Sequence, residues 1–141
     1  MLVAASLHIG AYQREVVGWA TQNAPSLNQR PTAFVSVSLG VLQHDAAVQR
    51  DLQTIVDRFV KTTGWRPLDV EFVAGALLYT RYNILVRWLM KRIARKAGGA
   101  TDTSRDYDYT DWPALQRFTD RFAARLAAPE PTVARAGATG A

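Results

Sequence analysis

The sequence predicts an α/β fold built on parallel strands. Two observations predict it. Short apolar runs alternate with segments whose apolar residues recur every three or four positions. Their order is strand, helix, strand, helix, strand, then two helices, which calls for parallel strands joined by right-handed crossovers. At 141 residues the chain is the size of one domain, and it shows neither internal repeats nor a domain boundary.

The first strand is "LVAAS" (2–6), an apolar run that ends in small residues. The segment "YQREVVGWATQN" then sets Tyr12, Val16 and Ala20 on one helical stripe. "NQRP" (28–31) has turn chemistry, and "TAFVSVS" (32–38) is the next strand. In "HDAAVQRDLQTIVDRFVKTTG", Val48, Leu52, Ile55, Val56, Phe59 and Val60 repeat at helical spacing, and Gly64 ends the helix. "DVEFVAGA" (69–76) is a third strand, 81–96 a further helix and 97–109 a loop. Thr110 or Asp111 caps a last helix with Pro113 in its first turn and Leu115, Phe118, Phe122 and Leu126 on its apolar stripe. The tail from 128 to 141 is rich in Pro, Ala and Gly and is expected to be disordered, leaving 1–127 as the domain.

Composition narrows the chemistry. There is no cysteine and there are two histidines far apart, so no metal site is expected. The net charge of +5 is concentrated in one place. Residues 81–96 carry Arg81, Arg87, Lys91, Arg92, Arg95 and Lys96 with no acid, while the remaining 11 basic and 12 acidic side chains leave the rest near neutral. On a helical projection Tyr82, Leu85, Val86, Leu89, Met90 and Ile93 form an apolar face opposite the cations, yet Ile84 and Trp88 sit among the cations. That mixture suits an anionic membrane surface or an anionic tetrapyrrole, and a plain surface helix is the bland alternative. No nucleic-acid motif is present, and no nucleic-acid partner is expected. Four aspartates in "TDTSRDYDYTD" fit no calcium loop and read as caps in a solvated loop.

In an open parallel sheet, ligands bind beyond the carboxyl ends of the strands. Here those ends are "SLHIGAY", "SLGVL" and "GALLYTRY". With "PTAFVSVSLG", "AGGATDT" and "YTDW", their order and spacing resemble the flavodoxin-like, quinone-dependent protoporphyrinogen oxidases, from the first residue to about Leu126. The resemblance implies a parallel sheet in the order 2-1-3-4-5, bound FMN, protoporphyrinogen IX as substrate and a membrane quinone as acceptor. No apolar run of about 18 residues and no secretory signal is present, so a cytoplasmic protein is expected, and the resemblance implies that it is peripheral on the inner face of the cell membrane. It also aligns 2–6 with the family's third strand, so the fold expected here is a partial flavodoxin-like sheet of three strands. Two strand-helix units, about 50 residues or more, would then lie upstream with the loop for the FMN phosphate.

The same resemblance assigns the candidate site. Ser6, Leu7, His8, Ile9, Gly10 and Tyr12 match one flavin loop, with Gly10 allowing close approach, Tyr12 or Ile9 as a wall for the ring and His8 as a ring or substrate contact. Ser38, Leu39, Gly40 and Val41 match a second loop across the ring, and Thr101 and Thr103 are polar contacts nearby. Arg81, Ile84, Arg87, Trp88, Lys91, Arg92 and Arg95 are the membrane or substrate contacts. Two competing readings are a shortened flavodoxin-like binding module without flavin and a soluble flavodoxin-type electron carrier, although the basic charge suits other partners than those of an acidic carrier.

Overall fold

A computed structural model describes residues 1–81, 83–96 and 98–127. Tyr82 and the tail expected at 128–141 lie outside the described residues. Three strands run parallel: β1 (Leu2–His8), β3 (Ala33–Val37) and β4 (Asp69–Val73). A two-residue strand, β2 (Ala11–Tyr12), folds back antiparallel on the end of β1, so the sheet order is β2-β1-β3-β4. Leu2 pairs with Ala33 and Ser6 with Val37; Ala33 pairs with Asp69 and Val37 with Val73. The strand expected at 2–6 is therefore two residues longer, and Tyr12 belongs to β2 and not to a helix.

β3 lies between two layers and is buried on both faces, which is why "AFVSV" has no exposed alternate. On one side lie α1 (Arg14–Leu27) and α2 (Ala46–Thr63). Ala20, Ala24 and Leu27 of α1 and Val56 and Phe59 of α2 pack there with Ala5, Phe34 and Trp65. The Phe34 and Phe59 rings stack at 5.0 Å, and Tyr12 meets them edge-on at 5.2 and 4.9 Å. Trp65 is fully buried, and its indole N–H donates to the Thr32 hydroxyl at 2.8 Å. α2 begins where the Asp45 carboxylate accepts from the Ala47 amide at 2.7 Å and ends at left-handed Gly64, as its sequence requires.

The other face of β3 and β4 is covered by α4 (Trp112–Ala127), whose Phe118 and Phe122 pack on Ala33, Val35 and Val73. Asp111 is its cap, accepting from the Ala114 amide at 2.9 Å. Arg121 and Arg125, both exposed, reach the half-buried Glu71 and Asp69 of β4 at 3.7 and 3.3 Å, pairs on the solvent side that add little. α4 does not reach over β1. Leu2, Ala4, Ser6 and His8 on that face are exposed, and from Leu2 to Ser6 the outer edge of β1 has no neighbouring strand among the described residues.

The third strand stops earlier than 69–76 implies. Gly75 has φ +74°, and a Cβ there would stand 2.5 Å from Val37 Cγ1. Only glycine allows the chain to leave the sheet pressed against β3. It then forms β5 (Ala76–Leu77), a turn of 3-10 helix at Tyr79–Arg81 and α3 (Ile84–Lys96). It returns through β6 (Tyr107–Asp108), antiparallel to β5. The loop expected at 97–109 thus contains a strand too short to show any periodicity.

Replacing Phe118 with alanine is expected to destabilise the protein by about 3–5 kcal/mol, because it opens a cavity between α4 and β3. Leu126→Ala, at a side chain 49% exposed, is expected to stay within about 0.5 kcal/mol of the parent in the same urea titration. Equal midpoints for the two variants would mean that α4 does not pack as described.

Candidate functional site at the carboxyl edge of the sheet

The first loop is a tight hairpin. Leu7 pairs with Tyr12 and His8 with Ala11, leaving Ile9 and Gly10 as the whole turn. Both have positive φ, +51° and +76°, the geometry of a type I′ turn. For isoleucine this conformation is strained, costing about 1–2 kcal/mol. The strain brings no packing in return, since the Ile9 side chain is 97% exposed and nothing lies within 4 Å of the Gly10 Cβ position. The N–H groups of Ile9 and Gly10 find no acceptor among the described residues. The tip therefore offers two amide donors beside an apolar side chain, which is what the polar edge and face of a flavin ring require.

Tyr12 is not part of that surface. Its ring is buried against Phe34 and Phe59, and its hydroxyl donates to Ser36 Oγ at 2.7 Å. Burial pushes the phenol above its ordinary value, partly offset by the Ser36 bond, so it stays a neutral donor. Of the two residues expected as a ring wall, Tyr12 is buried in the core and Ile9 is exposed. Ser6 and His8 are exposed on the opposite face of β1 from Leu7, and the His8 ring lies 3.3 Å from the Gln13 side-chain amide.

The second loop is one turn of 3-10 helix, Leu39–Leu42. The Ser38 amide donates to the Val73 carbonyl at 2.8 Å, and its hydroxyl accepts from the Gly40 amide at 3.1 Å. The Val41 amide donates back to the Ser38 carbonyl. The amides of Gly40 and Val41 are thus engaged within the turn. A Cβ on Gly40 would touch Leu52 and Ser38 at 3.4 Å, so this glycine serves packing on α2. The Ser38 hydroxyl proton and the half-buried side chain of Leu39 remain for a ligand.

Leu39 also joins this loop to the excursion beyond β4. It packs with Leu77, Tyr79, Met90, Ala94, Tyr107 and Tyr109 in one cluster. Two of these tyrosines hold the segment before Thr101: the Tyr79 hydroxyl donates to the Ala100 carbonyl, and the Ala100 amide donates to the Tyr109 hydroxyl. Thr101 and Thr103, both half-buried, are carried by that segment. Tyr79, Tyr107 and Tyr109 were not singled out from sequence; the clustering of tyrosines around "GGATDT" was the available signal.

The aspartates of the same region act as caps. Asp106 accepts from the Thr80 amide and hydroxyl at 2.9 Å. Asp102 accepts from Ser104, and Asp108 accepts from the Thr110 amide and the Trp112 indole. These bonds hold all three carboxyls below the ordinary value of 3.8. α2 opens beneath the Asp45 carboxylate, which disfavours an anion there. The described loops therefore fit the ring of a flavin and show no cradle for its phosphate.

The basic helix is turned differently from its projection. It packs through Met90 and Ala94, and the Arg87 guanidinium Nε donates to the Tyr79 carbonyl at 3.1 Å. Leu85, Leu89 and Ile93, expected on the packed face, are exposed. Arg87 is an inward tie and Lys91 is half-buried on the Asp102 side, whereas Ile84, Trp88, Arg92 and Arg95 point outward; Arg81 is exposed at the preceding turn. Ala94, the one small side chain in a bulky helix, marks the line of close approach.

The model of the flavodoxin domain matches residues 1–104. This chain belongs to the flavodoxin domain family. It is similar to a protoporphyrinogen IX dehydrogenase [quinone] of Leishmania major, 34% identical over 131 residues, which are 93% of this chain and 56% of that protein. It is likewise similar to a protoporphyrinogen IX dehydrogenase [quinone] of Escherichia coli strain K12, 31% identical over 123 residues, 87% of this chain and 67% of that protein. The chain spans between about half and two thirds of the length of these relatives. No solved structure matches it. The flavodoxin family agrees with the parallel α/β sheet and suggests a flavin cofactor.

Two outcomes are expected from this geometry. Ile9→Asn, which suits the left-handed turn, is expected to raise stability by about 1 kcal/mol in urea denaturation. No gain would mean that Ile9 is not strained. The depressed aspartates contribute stability that is present above their ordinary value and lost as pH falls through the lowered one. Near-ultraviolet circular dichroism from the tyrosines around Ala100 is therefore expected to hold down to about pH 4 and to decline only below it. Loss near neutral pH would assign the loop's order to another group.

Proposed function

We propose that this chain carries the ring-binding part of an FMN-dependent protoporphyrinogen IX dehydrogenase that passes electrons to a membrane quinone. The observation that supports it best is the strained, outward Ile9–Gly10 tip with its two unpaired amides, set at the same sheet edge as Ser38 and Leu39. The relatives are named for this reaction, and the flavodoxin family supports a flavin.

A bound flavin supplies hydride acceptance from the porphyrinogen and delivery of electrons to the quinone. The protein's groups bind and orient. The Ile9 and Gly10 amides would polarise the polar edge of the ring, and the Ile9 side chain would pack on it. Leu39 would supply a second apolar contact, with the Ser38 hydroxyl, Thr101 and Thr103 as polar contacts. His8 and Arg81 stand at the rim for the substrate, whose propionates suit a guanidinium. A quinone is dissolved in the bilayer, so the reading is of a cytoplasmic protein working peripherally on the inner face of the cell membrane. Among the described residues no helix is long and apolar enough to cross a membrane.

Titration of the chain with FMN and with riboflavin tests the reading. Because these loops hold the ring, both flavins are expected to be quenched with similar affinity, and Ile9→Asn and Leu39→Ser are expected to weaken both severalfold. The flavin-loaded chain is then given protoporphyrinogen and a quinone, and porphyrin fluorescence is followed. A folded chain that quenches neither flavin would overturn the assignment.

A further inference from the structure

α3 is fastened to the molecule along one side. Its opposite side carries large apolar groups and cations together. Ile84 is 86% exposed, Leu85 76% and Trp88 57%, and Leu89 and Ile93 are exposed beside them. Arg92, Arg95 and Lys96 lie on the same arc and make no ion pair among the described residues. The Arg92 guanidinium sits over the Trp88 ring, 5.2 Å from its centre. Single exposed apolar residues need no explanation, but a contiguous set on one helix face marks an interaction surface.

We propose that α3 is a membrane-docking helix that lies in the plane of an anionic phospholipid surface. Ile84, Leu85 and Trp88 enter the headgroup and upper acyl region, and Arg92, Arg95 and Lys96 reach lipid phosphates. The interspersed pattern favours lipid over other polyanions. A nucleic acid would leave Ile84 and Leu85 in water. A bilayer interface accepts both kinds of group at once, since Trp settles at headgroup depth and long basic side chains extend from an apolar base toward the phosphates. Residues 81–96 contain no acid, so nothing on the helix opposes an anionic surface.

The inner face of α3 rests on the cluster that includes Leu39. Docking would therefore bring the candidate ring site to the surface where a quinone resides. Only this last consequence rests on the dehydrogenase reading; lipid binding stands on α3 alone.

The test is co-sedimentation of the full chain with phosphatidylglycerol-containing vesicles and with phosphatidylcholine vesicles. Binding is expected to need the anionic lipid and to weaken with salt. Arg92→Gln with Arg95→Gln is expected to lower the partition coefficient about thirtyfold, roughly fivefold per cation. Arg121→Gln with Arg125→Gln on α4, the same loss of charge, is expected to have little effect. Trp88 emission is expected to shift to the blue on binding, read as the difference between the parent and Trp88→Phe. Equal binding to both vesicles, equal loss from the two double variants or an unmoved Trp88 would each overturn the proposal. So would equally strong, cation-dependent binding to duplex DNA. Vesicle binding without flavin quenching would sink the dehydrogenase reading and leave docking intact; quenching without vesicle binding would do the reverse.

Discussion

The buried hydrogen bond from the Tyr12 hydroxyl to Ser36 Oγ, 2.7 Å long, is the constraint on which the candidate site depends. β3 is covered on both faces, so Ser36 on it and Thr32 just before it cannot turn to water. Both are buried, and each receives its partner from an aromatic residue, Tyr12 and Trp65. A buried hydroxyl without a partner costs about 1–3 kcal/mol, so the pairings hold firmly. Tyr12 is drawn inward, β2 is pinned beside the end of β1, and only two residues remain to close the hairpin. The left-handed conformation of Ile9 and the exposure of its side chain follow from that closure. Core packing thus decides what stands at the sheet edge.

A second constraint sets the other side of the site. Gly75 presses the chain against Val37 and turns it out of the sheet. Everything from β5 to β6 is built beyond that point and returns to the edge through the tyrosine cluster around Leu39 and Ala100. Among the described residues the excursion shares no core cluster with α1 or α2; it rests on the loop after β3. Its aspartates are engaged in local hydrogen bonds that shape the loop. α3 is the outermost part of this layer, with little of its apolar surface buried inward.

Much of this was legible in the sequence. The parallel strands, the capped helix α2 and the stripe of Phe118 and Phe122 on α4 all show the periods and caps that local physics demands. The resemblance carried by "SLHIGAY", "GALLYTRY" and "GGATDT" pointed to the flavodoxin family, to which the chain belongs. Less legible were the short pieces. Two-residue strands such as β2, β5 and β6 have no periodicity to display, and Tyr12 fits a helical stripe as well as a hairpin.

The sequence by itself determined the α/β class, the helix ends and the concentration of positive charge in 81–96, because periodicity, capping and charge are local properties. Only the tertiary structure decided which way Tyr12 points, which amides stay unpaired and which face of α3 meets water. The physical reason is the same in each case. A side chain with two plausible sides takes the one where its polar atoms find partners and its volume fits the neighbouring layer. For α3 the fitting residue is Ala94, and the bulkier Leu85, Leu89 and Ile93 are left outside.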